Sequence, residues 1–363
     1  MGIPRTLLYY SYFPLWRRFF TELGATVVTS STTTKRILDA GVRTAVTDAC
    51  MPVKLLHGHV VDLIERGIDY IFLPRVVCTN GRTVYCPKFL GLPDMVRSSI
   101  TDLPELIDVR YDNRDNKREL KRVALEVGNR LSCNNRRVKQ ALEAALADHR
   151  RYSELLHAGV APAAAIKVLA NPERTTRNEP GIAGPAMDTD AYDLRFAVIG
   201  YPYEIYDPYI SLDLLNKLRD MRVMPLTANT ISKNDLQAQQ QKLYKNMFWT
   251  YSEQAVLAAH HYFEYDDTVD GLIHVTAFSC GPDSIVNRVI GGIAKEHPSV
   301  PFMTLMIDEH TGEAGLMTRL EAFTDMVRRR QRVSEKKPSI DELITPRLRH
   351  AVRKGAATVA TTN

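Results

Sequence analysis

The chain has 363 residues, 45% of them hydrophobic and 25% charged, a composition that excludes a mainly disordered, collagen-like or rod-like protein and is long enough for two or three domains. The net charge is +5, but ten Lys/Arg against three Asp/Glu crowd into residues 328–363, so the body is near neutral and the tail basic; lacking aromatics to stack on bases, the tail reads as a solvated end and nucleic acid is not an expected partner. No apolar run approaches the ~20 residues that cross a bilayer, and the N-terminus, interrupted by Arg17 and Arg18 and with no small-residue cleavage site, is not a signal peptide, so a cytoplasmic protein without a membrane partner is expected.

The first 112 residues alternate apolar strands with amphipathic helices. The spacing predicts a helix over 7–24 closed by Gly24, a strand over 25–30, a short helix over 32–41 closed by Gly41 and a second strand over 43–49. A helix starting near Pro52 follows over 52–67, then a buried strand over 68–77. Residues 113–169, rich in Arg, Glu, Leu and Ala, predict two or three helices, and the Pro/Gly-rich stretch 171–192 a linker. The pattern then restarts. Strands are predicted over 194–200, 222–227, 271–279 and 300–308, and helices over 208–221, 235–264, 282–297 and 312–330. Repeated strand–helix–strand units mean mostly parallel sheets covered by helices. The expected organisation is therefore α/β: a first lobe over 1–112, a helical insert and linker over 113–192, a second lobe over 193–330 and a basic tail over 331–363.

Several motifs are missing. There is no G-x-G-x-x-G after a strand, no P-loop, no G-x-S-x-G elbow, no H-E-x-x-H and no C-x-x-C, which argues against a nicotinamide dehydrogenase, a P-loop enzyme, an α/β-hydrolase or a zincin. STTTK (31–35) has the look of a phosphate loop but lacks the preceding Asp and Gly.

The cysteines carry more. Five are present, an odd number and too few for a secreted disulfide framework. Cys50 lies in DACMPVK, Cys86 in VYCPKFLGLPDM and Cys280 in FSCGPDS, each at or near a strand end and before a predicted helix start. That edge is where open α/β sheets bind ligands, and a helix N-terminus favours thiolate over thiol. The intervals Cys50-x35-Cys86-x193-Cys280 are too wide for a local metal knuckle and suit a site assembled between lobes. Three thiolates can hold a [4Fe–4S] cluster with one iron left open. Cys78, eight residues before Cys86, is a candidate extra ligand, whereas Cys133 on a helical segment reads as core.

The blocks MGIPR, ACMPVKLLHGH, CPKFLGLPDMVR, VIGYPYEIYD (198–207), FSCGPDSIVNRVI and IDEHTGEAGLMTRLEAF (307–323) resemble the activase-related proteins, domain of unknown function 2229, of the 2-hydroxyacyl-CoA dehydratase and benzoyl-CoA reductase superfamily. The resemblance covers residues 1–330 and weakens over 113–190. It implies flavodoxin-like lobes with a cysteine-held iron–sulfur cluster between them, oxygen-sensitive low-potential electron transfer to a CoA-thioester or small-molecule substrate, and an ATP-dependent activator protein that supplies the electrons. Cys50, Cys86 and Cys280 match the family's cysteine positions; Cys78 has no evident counterpart. Two alternatives stay open under the resemblance: a non-catalytic cluster carrier or accessory subunit of a dehydratase or reductase complex, and a reductase with a double-cubane [8Fe–9S] cluster. The latter needs six thiolates where this chain offers five, so a single [4Fe–4S] is preferred. A cluster-free binding module with core cysteines is the third reading.

Other residues near the expected site have local readings. Glu309 and His310, with Asp308 and Glu313, follow the strand 300–308 and are candidates for a proton relay or a fourth ligand. Asp283 is expected to cap its own helix. His57 and His59 point to different helix faces. Tyr201, Tyr203 and Tyr206 can line the cleft, and Lys54 and Lys88 can offset cluster charge. Where the chain oligomerises, a homodimer is expected.

Overall fold

The computed structural model describes residues 1–114, 118–170, 191–243, 245–265 and 268–335. The chain divides into two compact units, Met1–Met317 and Thr318–Asn363. The first unit holds every described strand; the described part of the second continues a single helix.

In chain order the first half runs β1 (Gly2–Ile3), α1 (Tyr9–Glu22), β2 (Val28–Thr29), α2 (Lys35–Thr44), α3 (Met51–Glu65), β3 (Tyr70–Phe72), β4 (Arg75–Cys78), α4 (Pro87–Ser99), β5 (Glu105–Ile107) and β6 (Arg110–Asp112). Helices α5 (Glu119–Arg130), α6 (Asn135–His157) and α7 (Pro162–Ala170) follow. The second half runs β7 (Leu194–Ile199), α8 (Pro202–Ile205), α9 (Leu214–Asp220), β8 (Val223–Thr227), α10 (Lys233–Ala238), α11 (Thr250–Glu264), β9 (Gly271–Ala277), α12 (Gly281–Glu296), β10 (Phe302–Ile307) and α13 (Glu313–Glu335).

Two four-stranded sheets, both parallel, order as β2-β1-β3-β5 and β10-β9-β7-β8. Counted in its own chain order, each reads 2-1-3-4 over its described strands, the first four places of the flavodoxin-like order. The expected fold class, α/β with mostly parallel sheets in flavodoxin-like lobes, holds. The central strand β9 is covered on both faces, with all seven of its residues buried. Helix α1 shows the period that buries one stripe, with Tyr9, Phe13, Trp16 and Phe20 all inside.

Four local expectations are corrected. Gly41 does not end α2, which continues to Thr44. Instead Gly41 and Gly58 let α2 and α3 touch: a Cβ on Gly41 would lie 1.9 Å from the Lys54 carbonyl oxygen, and one on Gly58 1.9 Å from that of Ile37. The strand expected over 43–49 is absent, and Val46 is left 62% exposed; the place in the sheet is taken by β1, which the sequence pattern did not show. The strand expected over 68–77 is two, β3 and β4, broken at Pro74, which has no N–H to give a ladder; β4 pairs with β6 in a separate two-stranded ribbon. The helix expected over 235–264 is interrupted between α10 and α11, because the backbone there pairs with another segment: Val84 N–H donates to Phe248 O at 3.1 Å and Thr250 N–H to Val84 O at 2.8 Å. The expected linker 171–192 falls almost wholly, and the basic tail 331–363 largely, outside the described residues.

Candidate thiol site

Cys50, Cys86 and Cys280 are the N-cap residues of α3, α4 and α12, and each helix carries a proline in its first turn, Pro52, Pro87 and Pro282. The proline lacks an N–H that would be unsatisfied there anyway, and the remaining N–H groups face the cap. Backbone bonds set the caps, from Lys54 N–H to Cys50 O (3.2 Å), Phe89 N–H to Cys86 O (2.9 Å) and Ser284 N–H to Cys280 O (2.9 Å). All three cysteines line one cavity, about 30 Å³, together with Lys88, Tyr201, Tyr203 and Trp249. This cavity lies at the carboxyl ends of β7 and β9, the first and third strands of the second sheet, where that sheet's order reverses.

The loops that carry the thiols are fastened to one another. Ser279, in the left-handed region at φ 63°, turns the chain out of β9, and its Oγ donates to Asp48 O at 3.4 Å. The loop before Cys86 is held on α11 by the Val84–Trp249 bridge, by Thr83 Oγ1 to Thr250 Oγ1 at 2.9 Å and by Arg82 to Glu253 at 2.6 Å.

The electrostatics separate the thiols. A hydrogen bond from the Cys280 thiol, aided by Lys88 Nζ 3.8 Å from Cys50 Sγ, brings Cys50 down to about 6 against the pull of burial. Cys280 is pushed up, first by its bond to Cys50, then by burial and by the charges of Glu204 and Asp283. Burial raises Cys86. At neutral pH the site thus holds one thiolate stabilised by a thiol donor and a lysine. Alkylation of Cys50 by iodoacetamide, followed by mass spectrometry against pH, is expected to rise with a midpoint near 6 and to shift towards the ordinary 9.0 in Cys280→Ala. A midpoint unchanged by that substitution would show that the Cys280 donor does not set it.

Several buried polar atoms around the thiols have no hydrogen-bond partner: Trp249 Nε1 in the cavity wall, Glu204 Oε1, Asp283 Oδ1 and His274 Nε2. Glu204 is fully buried and its other oxygen accepts from Tyr201 N–H at 3.2 Å. Burial, then the charge of Asp283, raises its carboxyl well above the ordinary 4.5. His274 Nε2 lies 3.7 Å from Asp283 Oδ1.

The remaining expected residues sit elsewhere. Cys78 is fully buried on β4 with its thiol 3.6 Å from Asn80 Oδ1, and it does not line the cavity. Cys133 is half-buried, its thiol 3.5 Å from Leu131 O. Glu309 is paired with Lys54 at 2.8 Å, which holds its carboxyl below the usual range, and His310 is exposed; neither lines the cavity. Asp283 does not cap its own helix: its Oδ2 accepts from Ala277 N–H at 2.9 Å, tying α12 to the end of β9. Tyr206 bonds Thr227 Oγ1 at 2.8 Å, away from the cavity that Tyr201 and Tyr203 line. His57 and His59 do face different ways, towards Ser99 and towards Ser30 and Thr33. Sequence reasoning missed Glu204 and Trp249. Glu204 lies inside the block VIGYPYEIYD, but only burial marks its carboxyl as unusual. Among the described residues no three His, Cys, Asp or Glu side chains converge closely enough for a metal ion.

Two parallel sheets of one strand order, with cysteine-capped helices converging on a cavity at a sheet switch point, define a flavodoxin-like α/β protein with a buried thiol site. Residues 1–231 match the CoA enzyme activase uncharacterised domain (DUF2229), and the chain belongs to that family, as the resemblance of its motif blocks implied. No curated protein matches the chain. Among the described residues no helix is long and apolar enough to cross a membrane.

Proposed function

We propose that this family member is an iron–sulfur protein in which Cys50, Cys86 and Cys280 hold a [4Fe–4S] cluster, with electrons received from an ATP-dependent activator and passed to a CoA-linked or small substrate. The observation that carries the reading is that three thiols, far apart in sequence, cap three helices around a single cavity. Their donor chemistry fits. Thiolates at separate irons of a cluster need not converge as ligands of one ion do, so the absence of a single-ion group among the described residues is compatible with it. Helix N-termini, Lys88 and the unpartnered Trp249 N–H all favour negative charge at the sulfurs. When bound, such a cluster supplies one-electron transfer and an iron open to substrate oxygen.

The chain's own residues then have defined tasks. Cys50 and Cys280 part from their mutual hydrogen bond to become separate ligands. Tyr201 and Tyr203 keep water from the cavity. Glu204 lies outside the cavity wall, as do Glu309 and His310, the expected relay pair; its buried carboxyl, raised by desolvation, is a further group that can hold a proton near the thiols. Glu309 instead fixes α3 through Lys54.

The test is iron and acid-labile sulfide per chain on anaerobically purified protein, with an EPR spectrum after dithionite. About four irons and a reduced-cluster signal are expected in the wild type, with loss of both in Cys50→Ser, Cys86→Ser and Cys280→Ser and retention in Cys78→Ser and Cys133→Ser. About eight irons would replace the single cubane with a double one. No iron after reconstitution would overturn the reading and leave a thiol-lined binding protein.

A further inference from the structure

A larger cavity, about 310 Å³, opens at the carboxyl edge of the first sheet. Its walls include Pro4 and Thr6, just past β1, and Leu73 and Pro74, just past β3. These are the first and third strands, so the cavity lies at the point where this sheet's order reverses, the place where open α/β sheets bind ligands. The two sheets thus each carry a cavity at the equivalent position, and Leu7 and Phe89 belong to both walls.

The lining defines the occupant. Tyr12, Phe13, Trp16, Phe72, Phe89 and Tyr111 present rings, and among the described residues no Asp, Glu, Lys or Arg lines the space. Burial lowers the pKa of His149, the one titratable imidazole in the wall, so it is neutral there. A charged ligand would lose its hydration without a counter-charge. Two wall residues carry buried polar atoms with no partner: Thr6, 3% exposed, through Oγ1, and His149 through Nδ1. Buried polar groups are nearly always bonded, so each asks for a partner. An apolar cavity of about 150 Å³ holds benzene, and this one has room for roughly two rings. Aromatic walls favour edge-to-face and offset contacts with an aromatic guest.

We propose that this cavity binds an uncharged aromatic molecule of two fused rings bearing one hydroxyl group, the rings held by the aromatic wall and the hydroxyl by Thr6 and His149. The proposal does not use the thiols and stands or falls separately from the cluster.

The probe is 2-naphthol, titrated calorimetrically into the full-length chain beside naphthalene and naphthalene-2-sulfonate. Saturable one-to-one binding of 2-naphthol is expected, tighter than that of naphthalene, with none of the sulfonate. The same titration should quench Trp16 fluorescence in Trp249→Phe and persist in the triple Cys50/Cys86/Cys280→Ser variant. Val76→Phe, which fills the space from β4, should remove binding. Thr6→Val, close to isosteric, should weaken 2-naphthol about three- to tenfold and leave naphthalene unchanged; this pair keeps the test decisive where the filled variant does not fold. No saturable binding of 2-naphthol, equal binding of the sulfonate, or an unaltered difference between 2-naphthol and naphthalene in Thr6→Val would overturn the proposal.

Discussion

Gly41→Ala is expected to destabilise the protein by about 2–4 kcal/mol, although alanine is the better helix former by about 1 kcal/mol. The new Cβ would lie 1.9 Å from Lys54 O and 2.6 Å from Lys54 C. Both are backbone atoms of the facing helix, so no side chain can swing away and the helices themselves must part. Propensity is thus outweighed by steric overlap. Gly291→Ala on α12, where a Cβ would meet nothing within 4 Å, is the control and should gain about 1 kcal/mol from propensity alone. Urea unfolding of the two variants against wild type measures both. The consequence reaches the thiol site, because Cys50 is the N-cap of α3: a displaced α3 in Gly41→Ala should also change the pH midpoint of Cys50 alkylation. A Gly41→Ala protein as stable as wild type would mean that α2 and α3 can separate at no cost.

Glu204→Gln is expected to make the protein more stable above pH 5 and to leave it unchanged near pH 4. The Glu204 carboxyl is raised by burial and then by Asp283. Above the ordinary 4.5 the unfolded chain releases this proton while the folded chain keeps it, so the folded state binds more protons and stability falls as pH rises. The loss runs at about 1.4 kcal/mol per pH unit until the raised folded value is reached. Glutamine has no proton to retain and keeps a similar shape, so its curve lacks this fall. Asp207, a second buried carboxyl raised by burial, is present in both proteins and cancels in the difference. Chemical denaturation from pH 4 to 8 gives the difference curve; parallel curves would show that Glu204 ionises in the fold.

Both effects depend on features of which the sequence displays only half. Gly41 is visible in DAGVR, and local rules read it as a helix stop; the same residue is a contact point once Gly58 of α3 is known to face Ile37. Glu204 is visible in PYEI, and an isolated Glu reads as surface until α8 packs against α1 and β9 and buries it.

The sequence by itself determined the α/β class, the positions of most helices and the three cysteine-capped starts, because these follow from local quantities: hydrophobic period, proline in a first turn, glycine after a last turn. It also carried the family, through motif blocks that need no fold to be compared. The tertiary structure alone decided which segments became strands and which thiols meet. Residues 43–49 have strand-like composition, yet Arg43 and Thr44 continue α2 and the rest joins no sheet, while two residues, Gly2 and Ile3, become the strand that orders the first sheet. The run 235–264 has helical composition but gives up its middle to pair with Val84. Cys78 and Cys86 stand eight residues apart, and only Cys86 reaches the cavity, because β4 buries the first inside its ribbon and α4 carries the second to the thiol site. The physical reason is common to these cases. A backbone hydrogen bond or a buried contact between distant segments is worth as much as a local preference, and which distant segment supplies it is fixed only when the whole chain has packed.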